Sequence, residues 1–232
     1  MTNNAAPLYL KARCLRGKAH PLNPVILVGQ YDSPFVRRVA ISLLQLGLPF
    51  ERAPLSVFGD AAAMRAHNPL GRVPALVLDC GETLIDSAAI LDWLDDKVGP
   101  ERALVPAHGS PRRLAMQRLA LAGGTADKLV QLTYERKLRP AALRWPDWLT
   151  RLTGQVEAGL AAIEAETAEL AQAPLDQVAI TVACLWRFAQ ITHPDLLPAG
   201  RYPGLERHSA ACEALPPFKA TWPSALVFPG TG

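Results

Sequence analysis

Apolar residues follow two regimes along this chain. Up to about residue 98, short continuous runs alternate with stretches at helical spacing; from about residue 110 only helical spacing remains. Val25-Ile26-Leu27-Val28 is an unbroken apolar run closed by Gly29 and the turn-forming Asp32-Ser33-Pro34, the pattern of a buried strand. After Pro34, Val36, Val39, Ala40, Leu43 and Leu44 recur at helical spacing until Gly47 stops them. Phe50 to Leu55 reads as a second strand, and Pro54 assigns it to a sheet edge because proline cannot donate to a ladder. A short helix is predicted over 60–66, ended by Asn68-Pro69-Leu70-Gly71. Residues 73–78 and 83–85 then read as strands joined by the hairpin Asp79-Cys80-Gly81-Glu82. Ser87 opens a helix to about Lys97, with Ile90, Leu91 and Leu94 facing inward.

This β-α-β-α-β-β-α order is that of a thioredoxin-like α/β domain, although order alone leaves other α/β arrangements open. A linker rich in Pro and Gly follows, and helices are predicted at about 110–137, 146–171, 177–192 and 203–214. The predicted division is therefore a tail at 1–24, a thioredoxin-like unit at 25–98, a linker at 99–109 and an all-α helical bundle at 110–232.

Composition narrows the possibilities. Half of the 232 residues are hydrophobic and 19% are charged, the profile of a globular chain with a real core. A net charge of +3 is too small to indicate nucleic acid or an anionic membrane as a partner, and no apolar run approaches the roughly 20 residues that span a bilayer. Cys14, Cys80, Cys184 and Cys212 are far apart and form neither a disulfide framework nor a metal-binding spacing, so no metal and a reducing cytoplasmic setting are expected. The first 24 residues carry Lys11, Arg13, Arg16 and Lys18, with no acid before Asp32. That stretch reads as a loosely held tail, with a transit peptide as the alternative.

Candidate chemistry sits where strands meet helices. Ser33-Pro34 is an efficient helix start, serine as cap and proline as first helical residue. A hydroxyl at the positive end of a helix also suits a thiolate or a phosphate, so both readings stand. Asp86-Ser87 makes a second such end. Ser87 can cap while nearby N–H groups hold a carboxylate, and Asp86 supplies an anion for an ammonium, together matching an α-amino acid terminus; a plain cap is the alternative. Were Val73-Pro74 cis, Val73 would turn its backbone toward an extended peptide, and Arg72 would offer charge to a second carboxylate, or else remain a solvated arginine.

Taken in order, Ser33-Pro34-Phe35-Val36-Arg37-Arg38-Val39, then Asn68-Pro69-Leu70-Gly71-Arg72-Val73-Pro74, then Asp86-Ser87-Ala88-Ala89-Ile90-Leu91, resemble the cytosolic glutathione S-transferase family, of the bacterial serine-type motif with no class assigned. The similarity is strong over 25–98 and weaker in the helical half, notably at Leu215-Pro216-Pro217-Phe218-Lys219-Ala220-Thr221-Trp222-Pro223. The resemblance implies that Ser33 donates to the sulfur of glutathione and that Val73 pairs with its cysteinyl part beside a cis Pro74. It further implies that Asp86 and Ser87 hold the γ-glutamyl end and Arg72 the glycyl carboxylate. It implies transfer of the glutathione thiolate, glutathione being a co-substrate, to an electrophilic apolar small molecule, in a cytoplasmic detoxifying homodimer. Non-catalytic binding of glutathione or an apolar ligand, and a glutathione-dependent peroxidase or dehalogenase, are the alternatives.

Two departures refine the expectation. The isomerase class of the family carries Ser-Ser-Cys-x-x-Arg, whereas this chain reads Asp32-Ser33-Pro34-Phe35-Val36-Arg37, which argues against maleylacetoacetate-type isomerisation. No cysteine stands near position 33, which argues against disulfide reduction by a protein thiol. Tyr31 is the next candidate for a sulfur contact, and Arg118, Tyr134, Trp145 and Trp148 are conceivable residues of a second pocket. The usual Ser/Thr-x-x-Asp helix start is missing near residue 177, where Asp176 is expected to cap instead.

Overall fold

The computed structural model describes residues 24–170 and 174–223; the predicted tail, apart from Pro24, lies outside them. The first half runs β1 (Val25–Val28), α1 (Pro34–Gln45), β2 (Phe50–Ala53), α2 (Ala61–His67), β3 (Ala75–Val77), β4 (Thr83–Ile85) and α3 (Ser87–Val98). The sheet order is β2-β1-β3-β4, with β1 parallel to β2 and the other pairs antiparallel, so β2 takes the edge that Pro54 requires. This is the thioredoxin-like arrangement.

Two helices cover one face of the sheet. Leu27 and Leu76 from the strands, Val39 and Leu43 from α1, and Ile90 and Leu94 from α3 form one buried cluster. On the other face Met64 of α2 packs on Val28 and Ala75. Gly29, at the exit of β1, has φ +127, and a side chain there would collide with Val36 Cγ2 (2.6 Å) and Val73 Cβ (3.0 Å). The start of α1 and the turn before β3 close on each other because that position carries no side chain.

The second half is helical: α4 (Gly109–Lys137), α5 (Pro146–Glu164), α6 (Thr167–Leu170), α7 (Gln177–Thr192), α8 (Pro203–Glu213) and α9 (Pro216–Ala220), with single-turn 3-10 segments at Ala141–Leu143 and Pro194–Leu196. Leu129, Leu132, Leu152, Val156, Leu160, Leu185 and Trp186 form its core. Asp176 caps α7 as expected, accepting from the Ala179 amide at 2.8 Å. The single helix predicted over 146–171 is instead broken between α5 and α6. Glu164 there turns its carboxylate to the N-terminus of α8, accepting from the amides of Gly204 (2.7 Å) and Leu205 (2.8 Å). Helix propensity yields to a tertiary cap.

The halves meet along α1 and α7, where Ile41 packs on Ile180, Ala183, Cys184 and Phe218. Cys184 and Cys212 are free thiols pushed up to about 12 by burial, while Cys80 is disulfide-bonded, so not every cysteine is reduced as expected. Among the described residues no helix is long and apolar enough to cross a membrane.

Candidate active site

Two adjoining clefts open where the sheet domain faces α4, and they share a wall of Phe35, Arg72 and Val73. The smaller, of about 110 Å³, holds Ser33, with Asp32, Leu55, Phe58, Thr133 and Tyr134 around it. The larger, of about 530 Å³, contains Pro74, Asp86 and Ser87, and is closed by Arg38, Asn68 and the Gly123-Gly124-Asp127 stretch of α4. The six residues that the resemblance assigns to glutathione each line one of them or both: Ser33 one, Pro74, Asp86 and Ser87 the other, and Arg72 and Val73 both.

Ser33 sits at the N-cap of α1 with extended backbone, and its Oγ accepts from the Val36 amide at 3.4 Å. A contact that long is a weak cap, so the hydroxyl remains available to a ligand. The Val73-Pro74 peptide is cis. Among the described residues the backbone N–H and C=O of Val73 make no hydrogen bond, and Val73 lines both clefts. Asn68, buried, shapes the approach: its side chain donates to the Arg72 carbonyl (2.8 Å) and accepts from the Leu70 amide (3.0 Å).

At the start of α3 the sequence reading needs a correction. Asp86, not Ser87, is the cap: with φ +68 it accepts from the Ala88 amide at 2.8 Å. Asp tolerates that left-handed backbone better than most residues. Ser87 becomes the first helical residue, and its Oγ accepts from Arg38 through Nε (3.2 Å) and Nη2 (2.6 Å). Arg72 is solvated, its side chain 60% exposed, and its guanidinium lies 3.4 Å from Asp127 across the cleft.

The smaller cleft is tuned by burial. Burial raises the Asp32 carboxyl, opposed by the amides of Ser33 and of Asp32 itself. The Tyr134 phenol is also raised by burial, against the pull of Arg72 and with a push from Asp32. Its ring meets Phe58 edge-on, with centroids 5.6 Å apart. Of the conceivable second-pocket residues only Tyr134 is there. Trp145 is exposed, Trp148 packs on the helical core, and Arg118 is tied to Glu166 and Glu169. Tyr31 lies in the core of the sheet domain with Arg52 3.7 Å over its ring, and lines neither cleft.

Phe35, Arg38, Asn68 and Asp127 carried no assigned role in the sequence. The first three fall inside the stretches that resemble glutathione S-transferases, so the signal was present for them. Asp127, in the middle of a long helix, had none.

Residues 27–102 match the family model described as glutathione S-transferase, N-terminal domain. The chain is 33% identical over 139 residues to the uncharacterized GST-like protein YibF of Escherichia coli, spanning 60% of this chain and 67% of that protein. It is 34% identical over 148 residues to maleylacetoacetate isomerase of Pseudomonas aeruginosa, spanning 58% and 65%. A glutathione transferase family member from Pseudomonas fluorescens, solved with bound glutathione, superposes with a TM-score of 0.77 at 36% identity, over 86% of this chain and 99% of that one. Likeness at that level along the whole of a solved relative, joined to the matching N-terminal model, makes this chain a member of the glutathione S-transferase family.

Proposed function

We propose that the protein is a glutathione transferase, which lays glutathione along the two clefts and passes its thiolate to an electrophilic, mostly apolar small molecule. In this reading Ser33 donates to the sulfur and Val73 pairs its free N–H and C=O with the cysteinyl backbone. Asp86 and Ser87 hold the γ-glutamyl end, and Arg72 faces the glycyl carboxylate. Residues 25–98 form the glutathione-binding unit. The acceptor lies against Tyr134, Phe58 and Phe188, which border the sulfur end. The observation that carries the reading is the continuity of the clefts: a loosely bonded hydroxyl in one and a second helix start in the other flank a shared wall that holds the unpaired backbone of Val73.

The chemistry needs the thiolate populated. A free thiol with a pKa near ~8.5 is only a few per cent ionised at pH 7. A hydrogen bond to a charged group is worth roughly 1.5–3 kcal/mol, which lowers that pKa by about one to two units. Ser33 therefore stabilises the anion and need not abstract the proton, which leaves to solvent. The sulfur then forms a bond to the electrophilic carbon while the leaving group departs with its electron pair.

The Pseudomonas aeruginosa relative supports a second reading, glutathione-dependent isomerisation, in which the same thiolate adds to a double bond and is later expelled. Asp32 and Pro34 in place of the isomerase motif's Ser and Cys weigh against it.

Difference absorbance on adding glutathione tests the reading, with turnover of a chloro-dinitrobenzene acceptor and of maleylacetoacetate measured in parallel. A thiolate band should form and fade in Ser33→Ala, with turnover falling about 10- to 100-fold, the equivalent of one such hydrogen bond. Binding without a band or turnover would leave a non-catalytic binder, and isomerisation alone would favour the second reading. A two-fold dimer working in the cytoplasm belongs to the same proposal; a monomer by light scattering at micromolar concentration would remove the dimer.

A further inference from the structure

Arg38 is buried in the wall of the larger cleft, yet among the described residues no carboxylate lies within ion-pair distance of it. Its guanidinium donates twice to one hydroxyl, that of Ser87. The Phe35 ring sits 5.5 Å from its central carbon, and a side-chain carbon added at Gly123 of α4 would come 3.9 Å from Nη1. Burial pulls the guanidinium down from its ordinary value, with the Asp86 charge and, behind it, Cys184 opposing. An arginine stays charged all the same. A buried cation with so few partners within the chain is an expensive arrangement, and a favourable one once an anion arrives.

We propose that Arg38 is a positioning residue for the α-amino acid end of glutathione, locking the Ser87 hydroxyl as a donor and supplying positive potential to the carboxylate that hydroxyl meets. The inference rests on the glutathione reading of the site and adds to it a residue and a division of labour.

A serine oxygen has two acceptor positions and one proton. Nε and Nη2 of Arg38 fill both acceptor positions, so the Ser87 proton must point elsewhere, and the cleft is the open direction. Ser87 also begins α3, whose N-terminal field favours an anion at the same place. Gln177, 2% exposed, also lines the cleft, and its Nε2 has no partner among the described residues. Asp86, its carboxylate on the Ala88 amide, leaves an oxygen for the ammonium beside it.

The test is calorimetric binding of two tripeptides, glutathione and γ-aminobutyryl-cysteinyl-glycine, which lacks only the α-carboxylate. Wild type, Arg38→Met and Arg38→Lys are compared. Wild type should prefer glutathione, and Arg38→Met should shrink that preference by at least about tenfold, the worth of a charge-assisted contact. Affinity for the truncated tripeptide should stay within about twofold, because it lacks the carboxylate that Arg38 serves. Arg38→Lys keeps the charge but cannot fill both acceptor positions of Ser87, and should fall between. An unchanged preference in a folded Arg38→Met protein overturns the proposal. Should that variant fail to fold, a wild-type preference in Arg38→Lys overturns it as well. If wild type binds neither tripeptide, the glutathione reading itself falls and this inference falls with it.

Discussion

Arg37 and Arg38 are neighbours on α1, 2% and 6% exposed, and each has a phenyl ring 5.5 Å from its guanidinium carbon. They leave the helix in different directions and meet different company. Arg37 uses four of its five donors: it forms a bidentate pair with Glu213 (2.7 and 2.6 Å) and donates to the carbonyls of Thr221 (3.0 Å) and Phe218 (3.2 Å). Arg187 adds a second cation to the same carboxylate at 3.2 Å. Arg38 has a hydroxyl and a ring, and beyond them the cleft. One arginine fastens the C-terminal helices to the sheet domain, and the other is left with capacity for a ligand. A buried guanidinium paired with a carboxylate and two carbonyls of its own chain marks a structural charge, and one that meets only a hydroxyl and a ring beside a cavity marks one reserved for binding.

The comparison is most severely tested at Glu213. Glu213→Ala would strand a buried guanidinium, and removing one partner of a buried pair costs about 3–5 kcal/mol. Urea unfolding should show that loss, while glutathione affinity of the protein still folded should match wild type. Replacing both partners together, Arg37→Met with Glu213→Leu, should recover most of the loss but not all, since Arg187 and the carbonyls of Thr221 and Phe218 lose partners too. If Glu213→Ala cost less than about 1 kcal/mol, the pair would behave like a surface ion pair and the contrast would collapse.

His193 offers a third way to bury a base. It is 1% exposed, faces the Thr133 hydroxyl through Nε2 (2.9 Å), and meets Arg136 through Nδ1 (3.1 Å). Burial first, then the Arg136 charge, lower its pKa to about 4, with Asp195 opposing and Lys137 assisting. Arginine cannot shed its proton and must find partners; histidine can, and does. The folded value lies below the unfolded one near ~6.5, so the unfolded chain binds the extra proton between them. This contribution is therefore complete above about pH 6.5 and is lost as pH falls toward about 4, some 3 kcal/mol in all at 1.36 kcal/mol per unit. Subtracting the unfolding profile of His193→Gln from that of wild type isolates it from the carboxylates. A flat difference between pH 6.5 and 4 would mean that this imidazole is not held neutral.

Much of this was legible in the chain, and the reasons differ by element. The apolar run at 25–28, the Pro34 and Gly47 punctuation and the hairpin around Gly81 are local signals, and the sheet domain follows from them. The order of the motifs located both clefts. What was illegible is what depends on a second surface. Helical periodicity picked out Val36, Val39, Ala40, Leu43 and Leu44 in α1 and carried no signal for the burial of Arg37 and Arg38. The helix is in fact covered on both sides, by the sheet and by α7, so its polar face is buried as well. At Asp86-Ser87 the residue types announced a cap without saying which of them serves, because that depends on a backbone angle and on an arginine 49 positions away in sequence. The α5–α6 break likewise depends on the N-terminus of a helix some 40 residues further on.

The smallest expected effect bears most directly on the two arginines, because their rings are matched while their acceptors are not. Phe218 is fully buried beneath Arg37, and Phe35 is half-buried between the clefts beside Arg38. Leucine at either position keeps an apolar side chain and removes the ring face, which is worth about 0.5–1 kcal/mol at partly exposed sites and more when desolvated. Phe218→Leu should therefore register in stability, at about 1–2 kcal/mol with the volume lost from the core, and should leave glutathione binding alone. Phe35→Leu should do the reverse, weakening glutathione about two- to fivefold with little change in the unfolding midpoint. Should both variants lose stability alike and bind alike, α1 would carry two structural arginines, and the larger cleft would have to find its anion contact elsewhere.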